Sequence, residues 1–507
     1  VSIPRGVQIS VTGTPRKLAK HRRGCVFGPL LSFKRYALHN SSYDNVIRGL
    51  VERVYRVKDK KGNLVEPPTP KSSHFATTLL PELKKLIAYQ PLRPRSLAHT
   101  VELWTGSKRK VYQRALESLR FEPLSRRDGY LSTFVKCEKI DTIKDDPAPR
   151  IIQPRSPRYN LHLARFIKPH EHEFYQRIDH MFDTDGMGDR TVFKGLNARS
   201  AAEHLVLKAS RYSKPVFIGL DASRFDQHVS VDALQWEHSI YKNSFAYDIG
   251  QLSRLLDWQI DNIGTARLHD GRRIHYRVQG RRMSGDMNTS LGNCLIMCSM
   301  VHAYIRSKGI KASLANNGDD CVIVTEKKHF RRFDDLPEWF MKMGFNMKVE
   351  PPVYDVREVS FCQVNVVSDG NYHLCVRNPN VVTSKDLHST YPFTHEHQYK
   401  QWLVASGICG STSHHGVPVL EAFYSAFPQG SITDARIQSD LDNWRKYSIV
   451  GGAVQREISD EMRHSFWLAF KITPDCQIEL ERMYRNIRFG TSGGYVGATP
   501  YVSLYQL

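Results

Sequence analysis

Apolar and polar positions change their spacing several times along this 507-residue chain, and each change predicts an element. The first 60 residues set "TPRKLAKHRRGC" among short apolar stretches such as "CVFGPLLSF", which predicts an ordered arm with a basic patch. "KGNLVEPPTPKSSH" has the Pro, Gly and Ser density of an exposed linker, and residues 81–124 turn helical. "KPVFIGLDASRFDQHVS" reads as a buried strand, 216–220, that ends in Asp221 and leads into a helix near Val231. "RRMSGDMNTSLGNCLIMCSMVHAYI" passes from a Ser-Gly loop into a long helix. Met287, Leu291, Cys294, Leu295, Cys298 and Val301 give it a core stripe, and Thr289 and Asn293, four apart, share a polar face at its start. In "NNGDDCVIV" the Asn317-Gly318 pair is a strong hairpin signal, with "KASLA" and "CVIVT" as the two strands, so Asp319 and Asp320 fall at the tip. "DDLPEWFMKMGFNMKVE" predicts a helix stopped by Gly344 and an extended piece carrying Lys348. "REVSFCQVNVV" is strand-like, residues 371–507 are mostly helical, and "RFGTSGGYVGATPYVSLYQL" predicts a flexible tail without a phosphate loop.

Composition narrows the class. Hydrophobic residues at 41% and aromatics at 10% are those of a globular protein. Charge is the outlier: 72 Lys and Arg against 51 acidic residues leave +21, which points to a polyanionic partner. A spanning helix needs about 20 apolar residues. The best run, "CLIMCSMVHAYI", stops at Arg306, so nucleic acid is favoured over a membrane and no direct span is expected. Nine scattered cysteines without CxxC pairs suggest neither a disulfide framework nor a zinc module, and Cys294 and Cys298 read as core. No signal peptide is recognised. The opening Val rather than Met suggests a processed product or a missing upstream segment.

Two adjacent carboxylates repel each other unless donors or a cation offset them. An Asp-rich turn is ordinarily just wet; the alternative is a metal. If the strand ending in Asp221 lies beside the hairpin in one antiparallel sheet, Asp221 and Asp319 meet at one edge. Side chains alternate faces along a strand, so Asp320 is then the secondary ligand. Facing carboxylates of this kind can clamp two Mg²⁺ ions for nucleotidyl transfer. "KCEKIDTIKDDPAPRIIQPRSPRYN" alternates Lys136, Lys139, Lys144, Arg150, Arg155 and Arg158 with Ile, Pro and Tyr, which reads as a rigid basic wall suited to a triphosphate. Asp226 could accept from a ribose 2′-OH, and Lys348 could protonate pyrophosphate.

"DASRFD", "SGDMNTSLGN", "NNGDD" and "RIIQPRSPRYN", in this relation to one another, resemble the motifs of positive-strand viral RNA-dependent RNA polymerases, nearest to the tombusvirus family and its carmovirus-like members. "WTGSKRKVYQRALESL", "GICGSTSHHGVPVLEAFY" and "AFKITPDCQIELE" extend the likeness over most of the chain from about residue 90. The resemblance implies Asp221 and Asp319 as principal ligands of two Mg²⁺, or Mn²⁺ in their place, with Asp320 assisting. It implies Asp226, Ser284, Thr289 and Asn293 as ribose readers and template support. Arg150 falls in the NTP-entry motif with Arg155, Lys136 and Lys139; Lys348 matches the general acid, and "FCQ" at 361–363 the primer grip. Thr105, Gly106, Lys108 and Arg109 match the template-entry motif loosely.

The implied fold is α+β, a closed right hand. Residues 1–190 give the arm and fingers, 191–240 and 283–370 the palm, 241–282 a fingers insertion, and 371–507 a helical thumb and tail. The implied partners are NTPs, a single-stranded viral RNA template with its nascent strand, and a membrane-anchored auxiliary replication protein. The implied location is the host cytoplasm, at membrane-bound replication sites reached through a region or partner outside this chain. Family members usually start RNA chains without a primer, and Tyr495, Tyr501 and Tyr505 of the tail are candidates for stacking the first nucleotide. A reverse transcriptase-like polymerase and a non-catalytic basic RNA-binding protein are the rival readings. His395, His397, His414 and His415 lack the cysteine partners and tight spacing of a zinc site and read as polar thumb residues.

Overall fold

In a computed structural model, residues 3–16, 36–88, 90–141, 147–183, 185–391, 393, 396–448 and 457–489 are described. Lys144, His395 and the three tail tyrosines lie outside them. The fold is mixed α+β, built around two sheets.

The four-stranded sheet has the order Ala312–Asn316, Asp320–Glu326, Pro215–Ala222, Met347–Val349. All its neighbours are antiparallel. It is covered on both sides, which explains why its strands read as nearly continuous apolar runs. Ile218, Leu220, Leu314, Cys321 and Ile323 face the largest core; Phe217, Ala315, Val322 and Val324 face another formed with Phe193, Leu205 and Phe361. The largest core is centred on the Thr289–Lys308 helix, buried almost all round, including Cys294 and Cys298. This helix packs against the Glu171–Phe182 and Val231–Ser244 helices and ends at Gly309 in the left-handed region, φ 58°.

The five-stranded sheet joins distant segments in the order Ile9–Thr12, Arg273–Gln279, Asp261–Arg267, Leu131–Val135, Ile151–Ile152. Its strands alternate cleanly between buried and open residues, because only one face rests on a core. Beyond residue 363, the Val364–Ser368 and His373–Arg377 hairpin and a set of helices share a separate aromatic-rich core around Phe423, Tyr424, Phe427 and Phe466.

Candidate active site

The turn between Asn316 and Asp320 is held by its own side chains. Asn316 accepts from the Gly318 N–H at 3.1 Å and donates to the Gly318 carbonyl at 2.7 Å, and the Asn317 N–H donates to the Asp320 carbonyl. Gly318 sits at φ 94°, where a side chain would be strained. The sheet register places Asp320, rather than Asp319, directly across from Asp221, with Lys348 across from Asp221 on its other side. Paired Cα atoms in such a ladder lie about 4.5–5.5 Å apart. Asp319 is the next residue, about 3.8 Å further along. Three carboxylates therefore crowd one end of the sheet, and no ion pair among the described residues neutralises any of them.

Asp319 is open to water on one side yet ringed by protein. Burial, then the neighbouring Asp226, hold its carboxyl above the usual range. Burial also raises Asp320, with Asp319 and Glu350 adding, although the Cys362 N–H donates to its Oδ2 at 2.8 Å. Cys362 and Gln363 both adopt left-handed backbone, φ 54° and 65°, so the 361–363 turn is strained where it grips Asp320. The donor set is all oxygen, which suits a hard divalent cation. The described residues gather no group of three His, Cys, Asp or Glu as a ready cage. Mg²⁺ fits these residues nonetheless, since it is commonly held by one or two carboxylates together with substrate phosphate.

Asp226 is the best-organised group. Ser284 Oγ donates to one of its oxygens at 2.6 Å and Asn293 Nδ2 to the other at 2.9 Å. The Asn293 amide has one sensible orientation, because its oxygen accepts from the buried Arg282 Nε at 3.1 Å and a guanidinium can only donate. Arg282 in turn is paired with buried Glu237, which also takes hydrogen bonds from Tyr241 and Asn288. Gly292 lets that pair lie under the helix: a Cβ there would come within 2.3 Å of Glu237 Oε1. Thr289 donates its hydroxyl to the Met283 carbonyl at 2.8 Å, tying the 283–288 loop to the helix.

Asp226, Asp319 and Arg150 line two adjoining cavities of about 290 and 510 Å³. Lys136 and Ser284 line the smaller; Thr289, Asn293 and Lys108 line the larger. Lys136 and Arg150 both reach Glu138, each at 3.3 Å. Thr105 precedes the helix Gly106–Ser118 as its cap residue, and Lys108 lies 5.7 Å from the centre of the Trp104 ring, while Arg109 is exposed.

Two members of the basic wall stand elsewhere. Arg155 is wholly buried, donating to Asp286 at 2.6 Å, to the Gly129 carbonyl and to Asn262, and these commit every arm of its guanidinium. Burial works against its charge, but Asp286 outweighs this and raises its pKa. Lys139 is carried away where the following strand, Ile140–Asp141, pairs with Tyr36–Ala37. Its Nζ donates to the Lys385 and His388 carbonyls, and burial pushes its pKa down to about 8. Both placements have one cause: a cation that finds buried acceptors packs on them. Arg158 likewise holds Asp128 at 2.9 Å. His414 is buried against Tyr424, His415 reaches Glu421, and His397 contacts Gln401, so these histidines share no site.

Sequence reasoning also missed cations that line these cavities. Lys194 lines the larger cavity beside the turn, brought there by the bridge between Val192 and Asn316. Arg53 and Arg224 line the smaller one. Burial, then Arg224 and Arg150, push the Arg53 pKa down to about 10, and its guanidinium donates to the Ala148 carbonyl. Arg224 lies inside "DASRFD" and could have been noticed; Arg53 and Lys194 carry no local signal.

A mixed α+β fold in which Asp226 and Asp319 share cavities with Arg53, Arg150, Arg224 and Lys194 fits a polymerase acting on nucleotides. Residues 9–492 match the family model described as viral RNA dependent RNA polymerase. The RNA-directed RNA polymerase of Pothos latent virus (isolate Pigeonpea/India) is 43% identical over 494 residues, covering 96% of this chain and 65% of its own length. That of Tobacco necrosis virus (strain A) is 43% identical, covering 88% and 61%, and that of Cymbidium ringspot virus 40%, covering 95% and 58%. The chain belongs to the viral RNA-dependent RNA polymerase family. It spans about two thirds or less of the length of these relatives.

Proposed function

We propose that this chain is an RNA-directed RNA polymerase that replicates a positive-strand viral genome. The observation that carries this is the Asp221, Asp319 and Asp320 group at one end of the sheet, of which Asp319 lines cavities shared with Arg53, Lys136, Arg150, Arg224 and Lys194. The cations suit the triphosphate of an incoming NTP, and the three carboxylates would hold divalent metal, Mg²⁺ with Mn²⁺ as the alternative. Such ions, when bound, neutralise charge on the phosphates and on the attacking hydroxyl.

In the proposed reaction the 3′-hydroxyl of the growing strand loses its proton to water, its oxygen bonds to the α-phosphorus, the α–β bridge breaks and pyrophosphate leaves. Lys348, exposed and across from Asp221, is the candidate to give pyrophosphate its proton. Replacing it with Leu should lower the single-turnover rate by about 10²-fold, read by rapid quench; an unchanged rate removes Lys348 from the mechanism.

Asp226 accepts from Ser284 and Asn293 yet retains lone pairs, so it can also accept from a ribose 2′-OH. This favours ribonucleotides over the deoxynucleotides of a reverse transcriptase-like enzyme. Asp226→Ala should narrow the preference for UTP over dTTP by about tenfold or more in kcat/KM. Equal preference in the unaltered chain would sink the assignment.

The grouping of 1–190 with 241–282 as fingers is supported by the five-stranded sheet, which draws strands from both. The palm at 191–240 and 283–370 is supported by the four-stranded sheet, and a thumb at 371–507 by the separate core of its described residues. No helix of the described residues is long and apolar enough to cross a membrane. Recruitment to membrane-bound sites in the host cytoplasm would then rest on an auxiliary replication protein or on a segment outside this chain. The deciding experiment incubates the chain with a short single-stranded RNA, labelled NTPs and Mg²⁺, with and without a primer. Templated product supports the reading, product without primer supports primer-independent initiation, and no product in either case refutes both.

A further inference from the structure

The five-stranded sheet has one face on a core and one that is open. Leu131, Val135, Ile274, Tyr276 and Val278 point inward. On the open face Arg273 pairs with Arg267 across the hairpin, with Thr12 on its other side. Thr133 is in register with Ala266 on the neighbouring parallel strand, so Phe134 and Arg267, the next residues, share the open face. Phe134 is 47% exposed and stands opposite Ile152. From Thr12 to Ile152 this row crosses four interstrand steps, about 19 Å at ~4.8 Å each.

Two arginines directly opposite each other destabilise a ladder unless something offsets them. The neighbouring acids are already engaged: Asp261 is held by Arg277 through two bonds of 2.8 Å, and Asp270 by Arg272 at 2.7 Å. Among the described residues no ion pair reaches Arg267 or Arg273. A half-exposed aromatic ring beside uncompensated cations, on a sheet whose other open residues include Ser132 and Thr265, is chemistry for a polyanion that also offers flat rings. A lipid surface is ordinarily met by several apolar side chains on an amphipathic helix, which this face lacks. A duplex keeps its bases stacked inside, whereas a single strand can lay one on an aromatic ring.

We infer that the open face of this sheet is a docking platform for single-stranded RNA, distinct from the cavities at Asp319, with phosphates on Arg267 and Arg273 and an unpaired base on Phe134. The test uses the full chain, a labelled, unstructured 30-nucleotide RNA, and titrations across salt. Arg267→Glu with Arg273→Glu should weaken binding about tenfold near 0.1 M salt and reduce the slope of log affinity against log salt by about 1.4, the share of two phosphates. Phe134→Ala should weaken binding about fivefold or more, and Arg267→Lys with Arg273→Lys should bind as the unaltered chain does. NTP incorporation on a saturating short template should stay unchanged in all three, which separates failure here from failure of the polymerase reading. Unchanged affinity and slope in the charge-reversed chain overturn the platform. So does a charge reversal that abolishes binding to phosphatidylserine-containing vesicles and leaves RNA affinity untouched. Should the charge-reversed chain fold poorly, Phe134→Ala decides: full affinity there overturns the proposal.

Discussion

Asp319→Asn should cut templated NTP incorporation by about 10³-fold while leaving affinity for single-stranded RNA within about twofold. The asymmetry follows from where the charge sits. On the proposed reading, RNA affinity would arise from the many cations of a +21 chain, to which one more neutralised carboxylate adds little. On the proposed mechanism, catalysis would depend on the negative cluster itself. The same substitution should not destabilise the protein. Burial and Asp226 hold the Asp319 carboxyl above its ordinary range, so its folded value lies above its unfolded one. A group shifted in that direction loses stability for the fold as pH rises through the folded value, so the ionised form is a cost at neutral pH. Asn removes that cost. In buffer without divalent ions the variant should melt at or above the temperature of the unaltered chain. Added Mg²⁺ should raise the melting temperature of the unaltered chain more than that of the variant. A variant that melts lower in every condition would show Asp319 to be a structural residue, and one with full activity would remove it from the site.

Much of this arrangement was legible in the chain, for identifiable reasons. The mixed α+β character followed from switches between helical and alternating spacing, and the buried position of Cys294 and Cys298 from their place on an apolar stripe. The carboxylates stood out because each lies where a strand ends or turns. What could not be read was register. Whether Asp319 or Asp320 faces Asp221 depends on which residues pair across strands nearly a hundred positions apart, and a shift of one reverses the answer. Lys194 was invisible for a similar reason. It reaches the turn through a bridge between residues 192 and 316, and nothing around it differs from an ordinary surface lysine.

The basic wall shows the opposite failure, in which a real sequence pattern joined residues with different work. Arg150 and Arg155 lie five apart in one extended stretch, and both read as triphosphate ligands. Arg150 is exposed and lines both cavities, whereas Arg155 is buried on Asp286 and braces the loop before the Thr289–Lys308 helix. The two should therefore separate cleanly on substitution. Arg155→Leu leaves Asp286 buried without its partner, and breaking such a pair costs about 3–5 kcal/mol, enough to lower the chemical-denaturation midpoint markedly. Adding Asp286→Leu should recover a large part of that loss, because two apolar side chains no longer strand a charge. Arg150→Leu should change stability by no more than about 0.5 kcal/mol, and should raise the KM for NTP instead. If Arg155→Leu proves as stable as the unaltered chain but loses NTP affinity, the guanidinium works in the cleft after all. The buried pairing with Asp286 would then be only one of its positions.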